Sequence, residues 1–232
     1  MSDLDDGKAT KDTDNPLADM PVWKVLTYIG LQAVAFISVG VALWIFSGRA
    51  AASFVAYAAW EVGAGLALAF ALIAVSFVLS RAFPKWVEWL VHSQARNYPF
   101  LKHRISISAI IFISLCAGFG EEVLFRGGLQ TLLGDYVSLS FAVLIASALF
   151  ALIHFAQPFN SALIFIIGCL FGVVYWATGS LLTVIIAHTV YDIYALWTLQ
   201  EAMHEFGVFD DEEAESLPGE PERETMPQSQ KP

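Results

Sequence analysis

The stretch that decides the fold of this chain reads Ile110-Ile-Phe-Ile-Ser-Leu-Cys-Ala-Gly-Phe-Gly-Glu-Glu-Val-Leu-Phe-Arg126. Most of it is apolar enough to lie in a hydrocarbon core, yet it ends with Glu121, Glu122 and Arg126. A charged group at bilayer depth costs about 3 kcal/mol or more, so such groups are rare in membrane helices unless they serve a function. We therefore expect a membrane helix that carries part of a functional site.

The rest of the chain is also strongly apolar. Apolar residues make up 57% of it, more than in an average soluble domain. The composition predicts an all-α, polytopic transmembrane helical bundle with about six spans. A protein of this class is surrounded by membrane lipid. It is not a soluble nucleic-acid-binding protein. The predicted spans cover residues 25–46, 54–79, 105–126, 138–157, 161–177 and 181–200. In the fifth span, Gly168 and Gly172 have the spacing of a close helix–helix contact.

The connection between the second and third spans, residues 83–100, contains two tryptophans and several basic residues. This pattern predicts an interfacial amphipathic helix, with a plain loop as the alternative. Five of the eight basic residues in segment 23–200 lie in or beside it: Arg81, Lys85, Arg96, Lys102 and Arg104. By the positive-inside rule this connection is cytoplasmic, so six spans place both termini in the cytoplasm. We expect a multi-pass protein of a bacterial cytoplasmic membrane.

The net charge of −10 comes from the two ends of the chain. Residues 1–22 and 201–232 are rich in Asp and Glu, whereas residues 23–200 hold eight basic and six acidic side chains. Segments with many charges and few aromatic residues are typical of disorder. We therefore predict a transmembrane domain at 23–200 between a disordered acidic N-terminal tail and a disordered acidic C-terminal tail.

The spacing of the charged residues at 121–126 predicts different roles for the two glutamates. Residues four apart lie on one face of a helix, and Glu before Arg is the favourable order, so Glu122 is expected to pair with Arg126. Glu121 is rotated by about 100° from Glu122 and is free to face a cavity. One carboxylate is thus predicted to be structural and the other reactive.

Two more spans carry one histidine each. Phe150 precedes His154 by four residues, so its ring is expected to lie beside the imidazole. His188 precedes Asp192 by the same distance, and Asp192 is expected to accept a hydrogen bond from it and fix its tautomer. The histidines and Glu121 would meet only if the helices are tilted or unequal in length, or if the spans are shifted from the boundaries above, because His154 lies near the end of its span whereas His188 lies about two turns into its own.

Together these elements resemble the CPBP family of intramembrane proteases, which includes CAAX prenyl endopeptidases and bacteriocin-processing or self-immunity proteins. The family motifs Glu-Glu-xxx-Arg, Phe-xxx-His and His-xxx-Asn/Asp read here as Glu121-Glu122-Val-Leu-Phe-Arg126, Phe150-Ala-Leu-Ile-His154 and His188-Thr-Val-Tyr-Asp192. The resemblance covers residues 105–195. The last motif ends in Asp192, where the prenyl endopeptidases usually have Asn.

The resemblance implies an intramembrane endopeptidase that hydrolyses a peptide bond in a membrane-associated peptide or protein. Glu121 would be the general base, His154 would orient the water, and Glu122 with Arg126 would hold the site together. His188 and Asp192 would stabilise the oxyanion. In a metalloprotease version, Glu121, His154 and His188 would bind Zn²⁺, with Glu122 as the base.

Other functions fit the same residues. Ionisable side chains within the membrane also carry ions in transporters, so an ion- or proton-coupled transporter is the leading alternative. The chain has no evident internal repeat, a feature that many transporters possess. A non-catalytic immunity or scaffold protein with the same fold is the third possibility. The sequence leaves the substrate, the need for a metal and the oligomeric state open.

Overall fold

A computed structural model describes residues 20–50, 54, 58–95, 97–154 and 157–209. These residues form seven helices and no strand. The helices are α1 (Val22–Phe46), α2 (Ala59–Ala82), α3 (Pro84–Gln94), α4 (Ile107–Leu133), α5 (Leu139–Ile153), α6 (Pro158–Thr178) and α7 (Leu181–Glu205). A short 3₁₀ turn, Pro99–Lys102, precedes α4. The predicted all-α bundle is confirmed.

The helices differ in length, and this difference shapes the site. Five of them, α1, α2, α4, α6 and α7, have 21 to 27 residues and are apolar enough to cross a membrane. At 1.5 Å per residue, the shortest of these reaches about 32 Å, close to the thickness of a hydrocarbon core. Helix α5 has only 15 residues and reaches about 22 Å. All six predicted spans are helices, but only five of the described helices are long enough to cross a membrane, and the fourth predicted span is not among them.

The helices begin and end where the sequence supplies suitable residues. The Ser106 hydroxyl accepts a hydrogen bond from the Ala109 amide at the start of α4. The Ser180 hydroxyl does the same for Thr183 at the start of α7. Gly179, with φ of 66°, ends α6 in the left-handed region that glycine tolerates. Helices α6 and α7 are thus joined by a tight turn.

Helix α7 packs along both α2 and α4, while α1 packs on α4 and α5 packs on α6. Small residues permit these approaches: a Cβ on Gly118 would lie 2.1 Å from the Thr189 hydroxyl of α7. The predicted role of Gly168 and Gly172 in packing agrees with their positions. A Cβ on Gly168 would lie 3.2 Å from the Ser147 Cβ, and one on Gly172 would lie 2.9 Å from a Val143 methyl.

The connection predicted as an amphipathic helix contains α3. Trp86 and Trp89 make edge contacts with Phe159 at the start of α6, with ring centroids 6.1 and 5.2 Å apart. Ser93 and Asn160 are also hydrogen-bonded. The connection is therefore helical over 84–94 and attached to the bundle, whereas its position at a membrane interface stays a prediction.

The predicted boundary of the C-terminal tail, at residue 201, differs from the structure. Helix α7 continues to Glu205. Met203 is fully buried in the apolar cluster formed with Leu101, and Arg104 forms an ion pair with Glu201. Burial of Met203 outweighs the acidic composition that suggested disorder. The remaining parts of the predicted tails, residues 1–19 and 210–232, lie outside the described residues.

Candidate active site

Glu122 lies at the centre of a buried polar network. It is the last α-helical residue of α4 before the helix changes form, and its side chain is fully buried. Its Oε1 accepts a hydrogen bond of 3.1 Å from Nη1 of Arg126, as the spacing predicted. The same oxygen lies 2.8 Å from Nδ1 of His188. Glu122 therefore joins α4 to α7 as well as holding Arg126.

Arg126 is buried with three kinds of partner. Besides its bond to Glu122, its Nη2 donates to the Gly168 carbonyl of α6 at 2.8 Å. The guanidinium lies over the ring of Phe150 at 4.7 Å and near that of Phe171 at 5.9 Å. Contact with aromatic faces stabilises a cation that has been removed from water. Arg126 thus ties α4 to both helices of the α5–α6 pair.

Helix α4 changes form immediately after the two glutamates. Residues Val123–Gln130 form a π-helix, and α-helical geometry resumes at Thr131. The sequence pattern predicts a uniform α-helix here and gives no sign of this change. Wide turns of this kind are rare and often occur at functional sites. The adjacent Gly127 and Gly128 break the apolar pattern here, but such a pair does not by itself specify a π-helix.

Glu121 faces away from the buried pair, as predicted. Its Oε1 lies 4.0 Å from Nε2 of His154 and its Oε2 lies 3.7 Å from Nε2 of His188. Its side chain is 13% exposed. Both distances exceed a direct hydrogen bond, so the carboxylate faces the two imidazoles without bonding to either. The carboxylate and the two imidazoles do converge, and the short α5 brings His154 to the necessary depth.

His154 is fixed through its other nitrogen. It ends α5, and its Nδ1 lies 2.7 Å from the carbonyl of Phe150, to which it donates. The Phe150 ring makes an edge contact with the imidazole at 4.8 Å, as the sequence suggested. Because Nδ1 carries the proton, Nε2 presents a lone pair toward Glu121.

His188 is held by Glu122 rather than by its predicted partner. Its Nδ1 bonds to Glu122, and its ring stacks on Phe171 with centroids 5.4 Å apart. Oδ2 of Asp192 lies 3.6 Å from Nε2 of His188, which is too far for a hydrogen bond. Asp192 is 33% exposed at the edge of the site. The expectation that Asp192 sets the tautomer of His188 is therefore wrong, because a buried carboxylate from another helix occupies Nδ1.

Tyr98 is a buried residue whose environment the sequence did not predict. It lies between α3 and the 3₁₀ turn and packs against the apolar cluster that contains Leu196 of α7. Burial raises the pKa of the Tyr98 phenol, and the negative charges of Asp192 and Glu121 raise it further. This influence joins separate parts of the chain, so nothing in the spacing of residues 83–100 could have predicted it.

The donor types at the site match a catalytic zinc set, since one carboxylate and two imidazoles face each other. Their spacing does not match. Within the described ranges, no group of three His, Cys, Asp or Glu side chains is arranged to hold one metal ion. The zinc site at Glu121, His154 and His188 thus remains a prediction from the resemblance, and the geometry gives it no support.

A groove of about 560 Å³ lies elsewhere, between α1 and α4. Its lining is almost wholly apolar and includes Gly30, Phe112, Cys116 and Phe119. Glu121 follows Phe119 by two residues and is rotated from it by about 200°. The groove therefore faces away from the polar site and belongs to the apolar surface of the bundle.

Comparison with known proteins agrees with the resemblance seen in the sequence. Residues 103–194 match the family model described as type II CAAX prenyl endopeptidase Rce1-like. The uncharacterized protein YpbD of Bacillus subtilis (strain 168) is 34% identical over 125 residues, which are 52% of this chain and 61% of that protein. The match thus spans about three fifths of the relative's length. No solved structure matches the chain.

Proposed function

We propose that this chain, whose residues 103–194 match the Rce1-like family model, is an intramembrane endopeptidase. The observation that carries the proposal is the position of Glu121, with one carboxylate oxygen 4.0 Å from His154 Nε2 and the other 3.7 Å from His188 Nε2. These separations bring a base and two imidazoles close enough together to face one water molecule placed beside them. All seven motif residues lie within the matched segment.

In the first step, Glu121 removes a proton from a water molecule held between its carboxylate and Nε2 of His154. The water oxygen attacks the carbonyl carbon of the scissile peptide bond and gives a tetrahedral oxyanion. A general base positioned in this way contributes about 10²–10⁴ to a rate. His154 accepts a hydrogen bond from the water, because its Nδ1 proton is already donated to the Phe150 carbonyl.

In the second step, the carbon–nitrogen bond breaks and Glu121 returns its proton to the leaving amine. His188, when it carries both protons, donates Nε2–H to the oxyanion, since Nδ1–H is bonded to Glu122. Asp192, as a carboxylate, accepts hydrogen bonds and cannot donate one to the oxyanion. Its negative charge, 3.6 Å from Nε2, attracts the imidazole of His188 when that ring is positively charged.

Glu122 and Arg126 act on the reaction through other residues. Glu122 fixes the tautomer and orientation of His188. Arg126 balances the charge of Glu122 in a place where an unpaired charge would be strongly unfavourable. A partner of this kind typically affects activity by orienting the group that touches the substrate.

The substrate proposed is a membrane-associated peptide or protein. The test uses the purified full chain in detergent with two probes: an S-farnesylated CAAX peptide and a panel of single-span membrane peptides with a fluorogenic bond. Glu121→Gln, His154→Ala and His188→Ala are each expected to lower kcat by about 10² or more. Two exposed residues give matched controls, Glu88→Gln and His103→Ala, which are expected to retain activity.

Cleavage that persists when all three site residues are changed would overturn the proposal. Failure of the wild-type chain to cleave any probe, together with proton flux in liposomes that requires Glu121, would favour a transporter instead. Elemental analysis and chelator treatment of the active preparation address the metal. Full activity in a zinc-free preparation would rule out the metalloprotease version.

A further inference from the structure

The π-helix of α4 must be held by contacts outside itself. A π-helix is rare and is normally limited to a single wide turn within an α-helix, whereas here it covers Val123–Gln130. Each residue taken up in excess of α-helical geometry rotates the following side chains by about 100°. The π-helix thus determines whether Glu121 can face the histidines while residues further along α4 face α6.

Two side chains of the π-helix bond to backbone carbonyls of α6. Nη2 of Arg126 donates to the Gly168 carbonyl at 2.8 Å, and Nε2 of Gln130 donates to the Gly172 carbonyl at 2.9 Å. Because the two donors are four residues apart and the two acceptors are too, the two hydrogen bonds run parallel from α4 to α6. We call each such bond between these helices a rung. A Cβ on Gly172 would lie 2.8 Å from Oε1 of Gln130, so only glycine leaves this rung room.

A third rung involves two hydroxyl groups. Oγ1 of Thr131 lies 2.8 Å from the Arg126 carbonyl, five residues earlier, and 2.9 Å from the hydroxyl of Tyr175. The Thr131 proton is donated to the carbonyl, so the Tyr175 hydroxyl must be the donor to Thr131. The chain from Tyr175 through Thr131 thus ends on a carbonyl inside the π-helix.

We propose that Gln130, Thr131 and Tyr175 are positioning residues of the site, because their rungs on α6 maintain the π-helix. This inference rests on the proposed hydrolytic function. Without the rungs, α4 relaxes toward α-helical geometry and its two ends rotate relative to each other. Glu121 then no longer faces His154 while Arg126 faces Gly168.

The first experiment needs no activity. Amide hydrogen exchange over residues 119–134 is measured by mass spectrometry for three full-length proteins in detergent: the wild type, Thr131→Val and Tyr175→Phe. Each variant is expected to exchange about three- to tenfold faster there, the effect of one hydrogen bond. Thr131→Ser, which keeps the hydroxyl, should exchange like the wild type. Unchanged exchange in both variants would overturn the proposal.

Matched controls come from the same chain. Thr27→Val removes an exposed hydroxyl that bonds to its own helix, and Tyr136→Phe removes an exposed phenol hydroxyl. Neither is expected to alter exchange over residues 119–134. Equal acceleration in these controls would mean that the effect is general loosening, which also contradicts the proposal.

The second experiment separates positioning from stability. Thr131→Val and Gln130→Leu are expected to lower kcat about three- to tenfold while KM stays within about twofold, and Thr131→Ser should restore kcat. A merely structural role would lower the melting temperature and the active fraction but leave kcat per folded molecule unchanged. A wild-type chain that cleaves no probe would contradict the hydrolytic function, whereas the exchange experiment alone decides whether the rungs hold the π-helix.

Discussion

The two adjacent glutamates are predicted to respond in opposite ways to the same substitution. Glu122→Gln removes a charge that accepts two hydrogen bonds, 3.1 Å from Arg126 and 2.8 Å from His188. Hydrogen bonds to charged groups are worth about 1.5–3 kcal/mol each, and the glutamine oxygen can retain one of them in weaker form. The expected loss in the free energy of unfolding is therefore about 3 kcal/mol.

Glu121→Gln is expected to leave stability unchanged or slightly increased. The carboxylate of Glu121 is 3.7 and 4.0 Å from its imidazole neighbours, so no direct hydrogen bond is lost. The substitution also removes a charge whose side chain is only 13% exposed. Activity, in contrast, should fall by about 10²–10⁴, because an amide cannot accept a proton from water.

The assay is thermal unfolding of the three full-length proteins in one detergent, with kcat measured on any peptide that the wild type cleaves. For a chain of this size, about 3 kcal/mol corresponds to a fall in Tm of about 6–12 °C. Equal shifts in Tm for the two variants, or a larger shift for Glu121→Gln, would refute the division of roles. The comparison of Tm values needs no substrate, so it tests the division of roles even when no cleavage is detected.

Three further predictions follow from single contacts. Asp192→Asn should raise kcat severalfold, because an amide can donate to the oxyanion and a carboxylate cannot; a tenfold fall in kcat would contradict this. Gly40→Ala should destabilise the fold by about 1–3 kcal/mol, because its Cβ would lie 2.4 Å from a π-helix carbonyl, whereas Gly63→Ala, whose Cβ meets nothing, should be neutral or stabilising in the same unfolding assay. The hydrogen bond from Arg49 lowers the pKa of Asp135, so this exposed pair stabilises the folded state above the ordinary carboxyl pKa and ceases to do so as the pH falls through the lowered value. The Tm difference between wild type and Asp135→Asn should therefore shrink as the pH drops below about 4. A Tm difference that is constant with pH would count against the pair.

Local features of the site were predictable because they depend only on spacing along one helix. The Glu122–Arg126 pair and the contact of Phe150 with His154 both join residues four apart. Such neighbours meet wherever a helix forms. The opposite direction of Glu121 follows from the same geometry. The apolar segments likewise predicted the helices, because a membrane span is a matter of length and composition.

The predictions from the sequence were wrong where a contact with another part of the chain outweighed a local preference. Asp192 has the right spacing for His188, yet Glu122 from α4 bonds to Nδ1 of the imidazole and Asp192 lies 3.6 Å from Nε2. Acidic composition suggested that α7 ends near residue 200, yet packing of Met203 against Leu101 extends it to Glu205. Local preference gave way to a contact with another part of the chain in both cases.

By itself, the sequence determined that this protein is a bundle of apolar helices with a few ionisable residues, and which of two adjacent glutamates pairs with Arg126. Only the tertiary structure decided that α5 is short enough to bring His154 to Glu121, and that α4 is a π-helix after Glu122. The physical reason is that helix formation and four-residue pairing are local, whereas the rungs to Gly168 and Gly172 that accompany the π-helix join residues 42 positions apart. Contacts over that distance exist only after the helices have packed.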